Sequence, residues 1–432
     1  MKNFSTFLLF AFLAVSPLKI NAQNVPVPAG PQTQPILISG ATAHLGNGEV
    51  IESSLVAFEN GKITFVGNIA AGRGFPGHRI IEASGKHLYP GFIAPNTTLG
   101  ITEIGAVRAT RDMREVGSLN PNVRSLIAYN TDSEVTPTVR SMGVLLAQVT
   151  PQGERISGES SIVELEGWNW EDAAYKTDDG IHLNWPNASS FNFFTRSVRK
   201  NKNYDKQIKE VKAFFQQAQA YAKQAVPKKK NLKFEAMRGL FDGSKKLYVH
   251  TNLAKSIQEA VVMAKEFDIR PVIVGGRDTW MVADFLRENE VPVILRKTQS
   301  LPRFRDDDVD MPFKTPRLLQ EAGVLFCFSE EGNWAQRNLA FQAGQAVGFG
   351  LDYEDAVKGL TSNTAKILGI DKTVGTIETG KDATFFLSVG DALDMRSSEV
   401  TQAFIRGKEI NLDNKQKILY RRFQAKYKDS RQ

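Results

Sequence analysis

The sequence predicts an α/β protein, a (β/α)8 TIM-like barrel joined to a small β-sandwich that both ends of the chain build together. Three observations predict it. Short strand-like runs separated by Gly, Pro and Asn crowd residues 34–88 and again 372–412. Between them, apolar strand patterns alternate with helical ones, the mark of a parallel sheet covered by helices. The intervening stretch, 89–371, is close to the ~250 residues typical of a closed eightfold barrel.

At the N-terminus, Lys2 opens a short basic start, Phe7 to Val15 are apolar, Pro17 breaks the run, and Ala22 offers a small residue for cleavage. That pattern reads as a secretory signal over residues 1–22, because nine or so apolar residues fall short of the ~20 that span a bilayer. The expectation is an exported chain, periplasmic or secreted, with no membrane span and soluble after cleavage. Cys327 is the only cysteine, so no internal disulfide framework exists.

In the sandwich, Ile36–Ser39, Ser54–Phe58, Gly61–Val66 and His78–Ile81 read as strands, with a turn at Gly46-Asn47-Gly48. The returning end adds Ala383–Ser388 and Val400–Ile405, then a turn at Gly407. In the barrel, Leu247–Val249 is an apolar strand. It leads into a helix with Ala254, Ile257, Val261, Ala264 and Phe267 on one face. Pro271–Val274, Val291–Leu295 and Val324–Phe328 repeat the strand pattern, with helices after them at 280–289, around Leu318-Leu319, and from Ala335 to about Phe349. A doubly wound open sheet is the rival, but it carries a glycine-rich phosphate loop after its first strand, and Gly91 to Gly100 supplies none.

Residues 150–235 fit the alternation poorly and read as an insertion on a βα loop. Glycines 153, 158 and 167 punctuate a strand-like Ser160–Leu165. Next come Trp168, Trp170, Trp185, Phe191, Phe193 and Phe194. Ile208, Val211, Phe214, Phe215, Ala218, Tyr221, Ala222 and Ala225 then mark a long amphipathic helix that Pro227 ends. The formal charge of +7 is mild for 432 residues. The run Lys228-Lys229-Lys230 reads as a solvated helix exit, and no nucleic-acid module accompanies it.

Reactive side chains of a βα barrel gather at the C-terminal ends of its strands. The residues at those ends are Asn96 and Thr98, then His250, then Gly275-Gly276-Arg277, then Ser329-Glu330-Glu331. Of the five histidines, His44 and His78 fall in the sandwich, His87 precedes the first barrel strand, and His182 falls in the insertion. Only His250 lies where a barrel ligand belongs. Arg108, Arg155 and Arg277 are candidate contacts for an anionic part of a substrate.

These positions also carry a resemblance. Pro90-Gly91-Phe92-Ile93-Ala94-Pro95-Asn96-Thr97-Thr98-Leu99 resembles the first-strand signature P-G-F-I-D-A-H-T-H-L of the amidohydrolase superfamily. Val249-His250, Ile273-Val274-Gly275-Gly276 and Phe328-Ser329-Glu330 resemble its fifth-, sixth- and eighth-strand motifs. The stretch Ala356–Gly369 with Gly375–Ala383 resembles the segment that closes the exported, imidazolonepropionase-like branch. The resemblance implies hydrolysis of a small-molecule amide or cyclic amide. It also implies a bound Zn2+ or other divalent metal, with His250 as a ligand and Glu330 in place of the aspartate that binds metal and takes the proton from water. It makes Asn96, Thr98 and Gly275 emptied ligand positions, so the family's usual binuclear centre is not expected. The fourth-strand ligand of the family is not located.

Two functions remain open on these residues. One is a hydrolase of non-peptide C–N bonds with a reduced or atypical site, in which His250 and Glu330 meet at the barrel mouth. The other is an inactive homologue that binds a ligand, self-associates, or pairs with an active relative.

Overall fold

The computed structural model of the protein describes residues 27–429, except 193, 195–196 and 303–305. The expected signal segment and Phe193 lie outside the described residues. Eight strands form one curled sheet: Phe92–Thr97 (β1), Val144–Val149 (β2), Ile156–Glu164 (β3), Ala174–Asn184 (β4), Lys246–Thr251 (β5), Pro271–Gly275 (β6), Val293–Leu295 (β7) and Phe326–Phe328 (β8). They are hydrogen-bonded in sequence order from β1 to β8. The barrel-plus-sandwich fold class expected from the sequence is what the chain adopts.

One strand departs from the expected pattern. β3 runs antiparallel to both β2 and β4, whereas all other neighbours are parallel. The cause is connection length. Only residues 150–155 join β2 to β3, and only 165–173 join β3 to β4. A parallel crossover needs a dozen residues or more, so these short links turn the chain back on itself. The expected insertion at 150–235 therefore divides. Its first part, which looked unlike a βα unit because it is a hairpin, supplies two barrel strands. The rest, 185–245, stands between β4 and β5 and carries a small hairpin (Ser189–Asn192 with Ser197–Lys200), then Tyr204–Ala222 (α1) and Leu232–Phe241 (α2). In α1, Val211, Phe215 and Ala218 are fully buried, so the helical stripe read from the sequence is the face that packs.

The remaining βα units keep the expected order. Ala254–Lys265 (α3) lies against β5 and β6, and Ala283–Glu288 (α4), Met311–Glu321 (α5) and Leu339–Val347 (α6) come after β6, β7 and β8. The helices expected at 280–289 and from Ala335 each begin instead as a 3-10 turn, Thr279–Val282 and Trp334–Asn338.

Side chains and one loop join the first and last strands where no backbone ladder does. Thr97 Oγ1 donates to the carbonyl of Gly332 at 2.8 Å, and the Thr98 N–H points at the same oxygen at 3.4 Å. The Asn333 amide donates to the Thr102 carbonyl. Outside the seam, Tyr353–Leu360 (α7) and Ser362–Leu368 (α8) pack on both β8 and β1. The C-terminal segment matched to the family by its motif is thus the clamp that holds the barrel's two edges together.

The sandwich has a four-stranded sheet containing Ile36–Ser39 and Ser54–Glu59. Its six-stranded partner pairs Phe385–Ser388 from the chain's end with His87–Pro90 from its start. Phe58 meets Phe385 and Phe404 edge-on at 5.1 and 5.0 Å in its core. At the joint with the barrel, Asp382 accepts from Tyr175 of β4 at 2.7 Å and pairs with Lys62 at 2.6 Å, while Arg406 lies 4.8 Å above the Tyr175 ring. A last helix, Lys415–Asp429 (α9), comes after the sandwich.

Replacing Thr97 by valine keeps the shape and removes the seam hydroxyl, which also accepts from the Leu99 N–H at 3.1 Å. Urea unfolding is expected to show a loss of about 1–2 kcal/mol, since a buried donor is left unpaired.

Candidate active site

The polar interior of the barrel is built on neighbouring strands. Tyr248 and His250 alternate onto one face of β5, as side chains two apart on a strand do. The Tyr248 hydroxyl donates to Asp179 Oδ2 of β4 at 2.6 Å, and the Gln148 amide of β2 donates to the same oxygen at 3.0 Å. Ser160 of β3 donates to Oδ1 at 2.6 Å. Gln148 in turn accepts from the backbone N–H of Asn96 on β1 at 3.1 Å. Asp179, Ser160, Gln148 and Tyr248 are all buried. Five strands are thereby laced around one carboxyl group that accepts from three neutral donors. Burial and the neighbouring Asp179 push the Tyr248 hydroxyl well above the ordinary phenol range, which keeps it a donor.

Room for this lattice comes from Gly180. A Cβ there would sit 2.4 Å from the Tyr248 ring. The ring continues into a stack with His182 of β4, centroids 4.7 Å apart and planes 13° from parallel. His182 Nδ1 lies 2.8 Å from His250 Nε2, so one imidazole donates to the other. The sequence pattern puts His182 in an insertion and leaves His250 alone. The structure puts both on adjacent barrel strands, because β3 and β4 belong to the sheet. Burial lowers the basicity of both rings: His250 to about 4, and His182 well below its ordinary value with the neighbouring His250 adding to the effect. Both are neutral at pH 7. His182 Nε2 is buried with no hydrogen-bond partner among the described residues.

Asn96, Gly275, Thr98 and Glu330, the strand-end positions singled out by the resemblance, have the following surroundings. Asn96 has a left-handed backbone with φ +53°, a conformation asparagine tolerates better than most residues. Gly275 has φ +99°, and a Cβ on it would lie 2.9 Å from Asn252 Oδ1, so a larger residue there meets both strain and a neighbour. Thr98 is buried beside the seam loop. Glu330 is buried too, but its carboxyl faces helix α6: Oε2 accepts from Gln342 at 2.7 Å, and Oε1 accepts from the Glu331 N–H at 2.8 Å. Burial raises its pKa. Among the described residues, no hydrogen bond or ion pair joins Glu330 to His250, so contacts tie Glu330 to α6 and His250 to His182.

The three arginines separate. Arg108 is exposed on the loop after β1. Arg155, in the turn between β2 and β3, donates to the Asn184 carbonyl at the end of β4. Arg277 is paired with Asp278 at 2.9 Å and lines a cavity of about 580 Å3. That cavity spans the C-terminal ends of β5, β6 and β7, with Asn252, Gly275, Arg277, Arg296, Lys297 and Trp280 on its wall. Arg296 and Lys297 both reach Glu331, at 3.3 and 3.5 Å.

The metal implied by the resemblance finds no matching donor set here. Among the described residues, no three His, Cys, Asp or Glu side chains converge on one point. Two imidazoles already bonded to each other, and a carboxyl turned to α6, do not fit a binuclear centre, which takes several donors around each ion.

A curled eight-stranded sheet with polar side chains at its strand ends, joined to a composite sandwich, is an α/β barrel of the TIM-like class. Comparison with known proteins agrees. Residues 310–410 match the model of the amidohydrolase family. An imidazolonepropionase of Bacillus cereus is 42% identical over 50 residues, a match that spans 12% of each chain. The crystal structure of an amidohydrolase from Thermotoga maritima MSB8 superposes with a TM-score of 0.74 at 24% identity, covering 87% of this chain and 99% of that one. Molinate hydrolase superposes at 0.53 and 17% identity, covering 88% and 95%. The chain carries an amidohydrolase-family segment on an amidohydrolase fold.

Two outcomes test this geometry. Asp179→Ala strands three buried donors and is expected to cost about 3 kcal/mol in urea unfolding. Stability is also expected to depend on pH through His250. The unfolded ring takes a proton near pH 6.5, while the folded one resists to about 4. Its contribution is therefore full above pH 6.5 and lost as pH falls towards 4. Between pH 7.5 and 5.0 that share is about 2 kcal/mol, and His250→Asn is expected to remove it.

Proposed function

We propose that this chain is an exported amidohydrolase-superfamily protein that hydrolyses a non-peptide C–N bond, amide or cyclic amide, at a reduced or atypical site. The observation that carries the reading is the pair of neutral imidazoles, His182 and His250, hydrogen-bonded on adjacent strands of an amidohydrolase barrel. A neutral ring holds a lone pair able to accept a proton, and its bonded neighbour fixes its tautomer. His250 takes the acid–base role. Glu330, its carboxyl raised by burial, takes the proton from water once Gln342 releases it. The cavity beyond β5–β7 receives a small molecule, with Arg277 among the groups that orient it; Arg155 and Arg108 lie further along the loops. No step is routed through a metal, because the donor set does not fit the family-standard centre. Export rests on the Lys2–Ala22 pattern in the sequence.

A second reading has its own support. Glu330 is held by Gln342 and the Glu331 N–H, and Gly275 has a left-handed backbone at φ +99° that a ligand side chain would strain. Both features favour an inactive homologue that binds a ligand, self-associates, or pairs with an active relative.

Metal analysis after incubation with Zn2+ and assay against a panel of amides and cyclic amides separates the two. The hydrolase reading expects fewer than two ions per chain. It also expects His250→Ala and Glu330→Gln each to lower turnover at least about a hundredfold. Equal metal content and equal turnover in wild type and His250→Ala would sink it.

A further inference from the structure

The final helix, α9, is used by neither the barrel nor the site, and its surface composition is unusual. Every side chain from Lys415 to Lys428 is exposed. Leu419, Tyr420, Phe423 and Tyr427 are between 38% and 65% exposed, whereas aromatic and aliphatic residues elsewhere mostly pack. Over Lys415–Asp429 there are six Lys or Arg and one Asp, a net charge of +5.

The order of these residues gives the helix a design. At about 100° per residue, Leu419, Tyr420, Phe423 and Tyr427 share one narrow stripe. Lys415, Arg422 and Lys426 lie beyond one edge and Lys417 and Lys428 beyond the other, while Arg421 and Ile418 fall on the opposite face. The start of the helix is anchored to the rest of the chain. Gln416 accepts from Thr138 Oγ1 at 2.9 Å, and the preceding Asn414 donates to Ser141 at 3.0 Å. The Arg421 guanidinium reaches back to Asp413. From Arg422 onward the stripe and its flanks face outward.

We propose that α9 is a surface-binding helix that lays its Leu419–Phe423–Tyr427 stripe into the interface of an anionic lipid bilayer. An apolar stripe edged by bases on both sides suits a flat, negatively charged surface. The rings and the leucine enter the boundary between headgroups and acyl chains, and the long basic side chains reach sideways to phosphates. A second copy of the helix is disfavoured as the occupant, because two faces of net +5 repel each other. The attachment is peripheral, since among the described residues no helix is long and apolar enough to cross a membrane.

Vesicle co-sedimentation of the full chain tests the proposal. Binding to phosphatidylglycerol/phosphatidylcholine vesicles is expected to exceed binding to pure phosphatidylcholine by at least about tenfold, and to fall several-fold in about 0.5 M salt. Leu419→Ser/Phe423→Ser is expected to weaken binding about tenfold with all charges kept. Arg422→Gln/Lys426→Gln/Lys428→Gln is expected to weaken it with the stripe kept. Thermal unfolding of both variants is expected to match wild type, because the altered residues lie outside the core. The proposal is overturned by absence of sedimentation, by equal binding to both vesicle types, or by undiminished binding of Leu419→Ser/Phe423→Ser. That last result, together with tight heparin binding, would assign the helix to polyanions such as an acidic protein surface.

Discussion

A carboxyl group buried among apolar strands is tolerable only if its oxygens are satisfied, and Asp179 sits under that constraint. Its three donors arrive from β2, β3 and β5, so no two strands alone can meet its needs. In the structure those strands come together with β3 reversed between β2 and β4. The same arrangement sets the register of β4 against β5, and that register brings His182 beside His250. The site's imidazole pair is therefore a consequence of how the interior carboxyl is satisfied.

The strand ends show a coherent change of chemistry. The chain has an asparagine in a left-handed backbone at the end of β1, a glycine against Asn252 at the end of β6, and a glutamate bonded to Gln342 after β8. Asn96 and Gly275 hold left-handed backbones, and both Glu330 carboxylate oxygens accept hydrogen bonds. In the His182–His250 contact one neutral ring donates to the other.

The joint between sandwich and barrel connects the two chain ends to this interior. Tyr175 begins β4 and bonds Asp382 of the returning end, while α7 and α8 clamp β8 to β1. The C-terminal third of the chain acts mainly as a closure. The family-model match at 310–410 includes this closing segment.

Much of this was legible in the residues. The period-two and helical patterns at 247–349 marked their strands and helices because each strand there is covered by its own helix. The sandwich was marked by Gly-punctuated runs at both ends. His250, Asn96, Thr98, Gly275 and Glu330 stood out because they lie at strand ends. His182 did not, although the short link at 150–155 was a usable signal that β2 and β3 form a hairpin. The amino-acid order by itself marked most of the strands and helices, though not the hairpin over 150–184, since periodicity and residue identity are local properties. Only tertiary structure decided that His182 meets His250 and that Glu330 turns to Gln342. Those partners lie 68 and 12 residues apart, and strand order, direction and helix docking, rather than spacing along the chain, bring them within bonding distance.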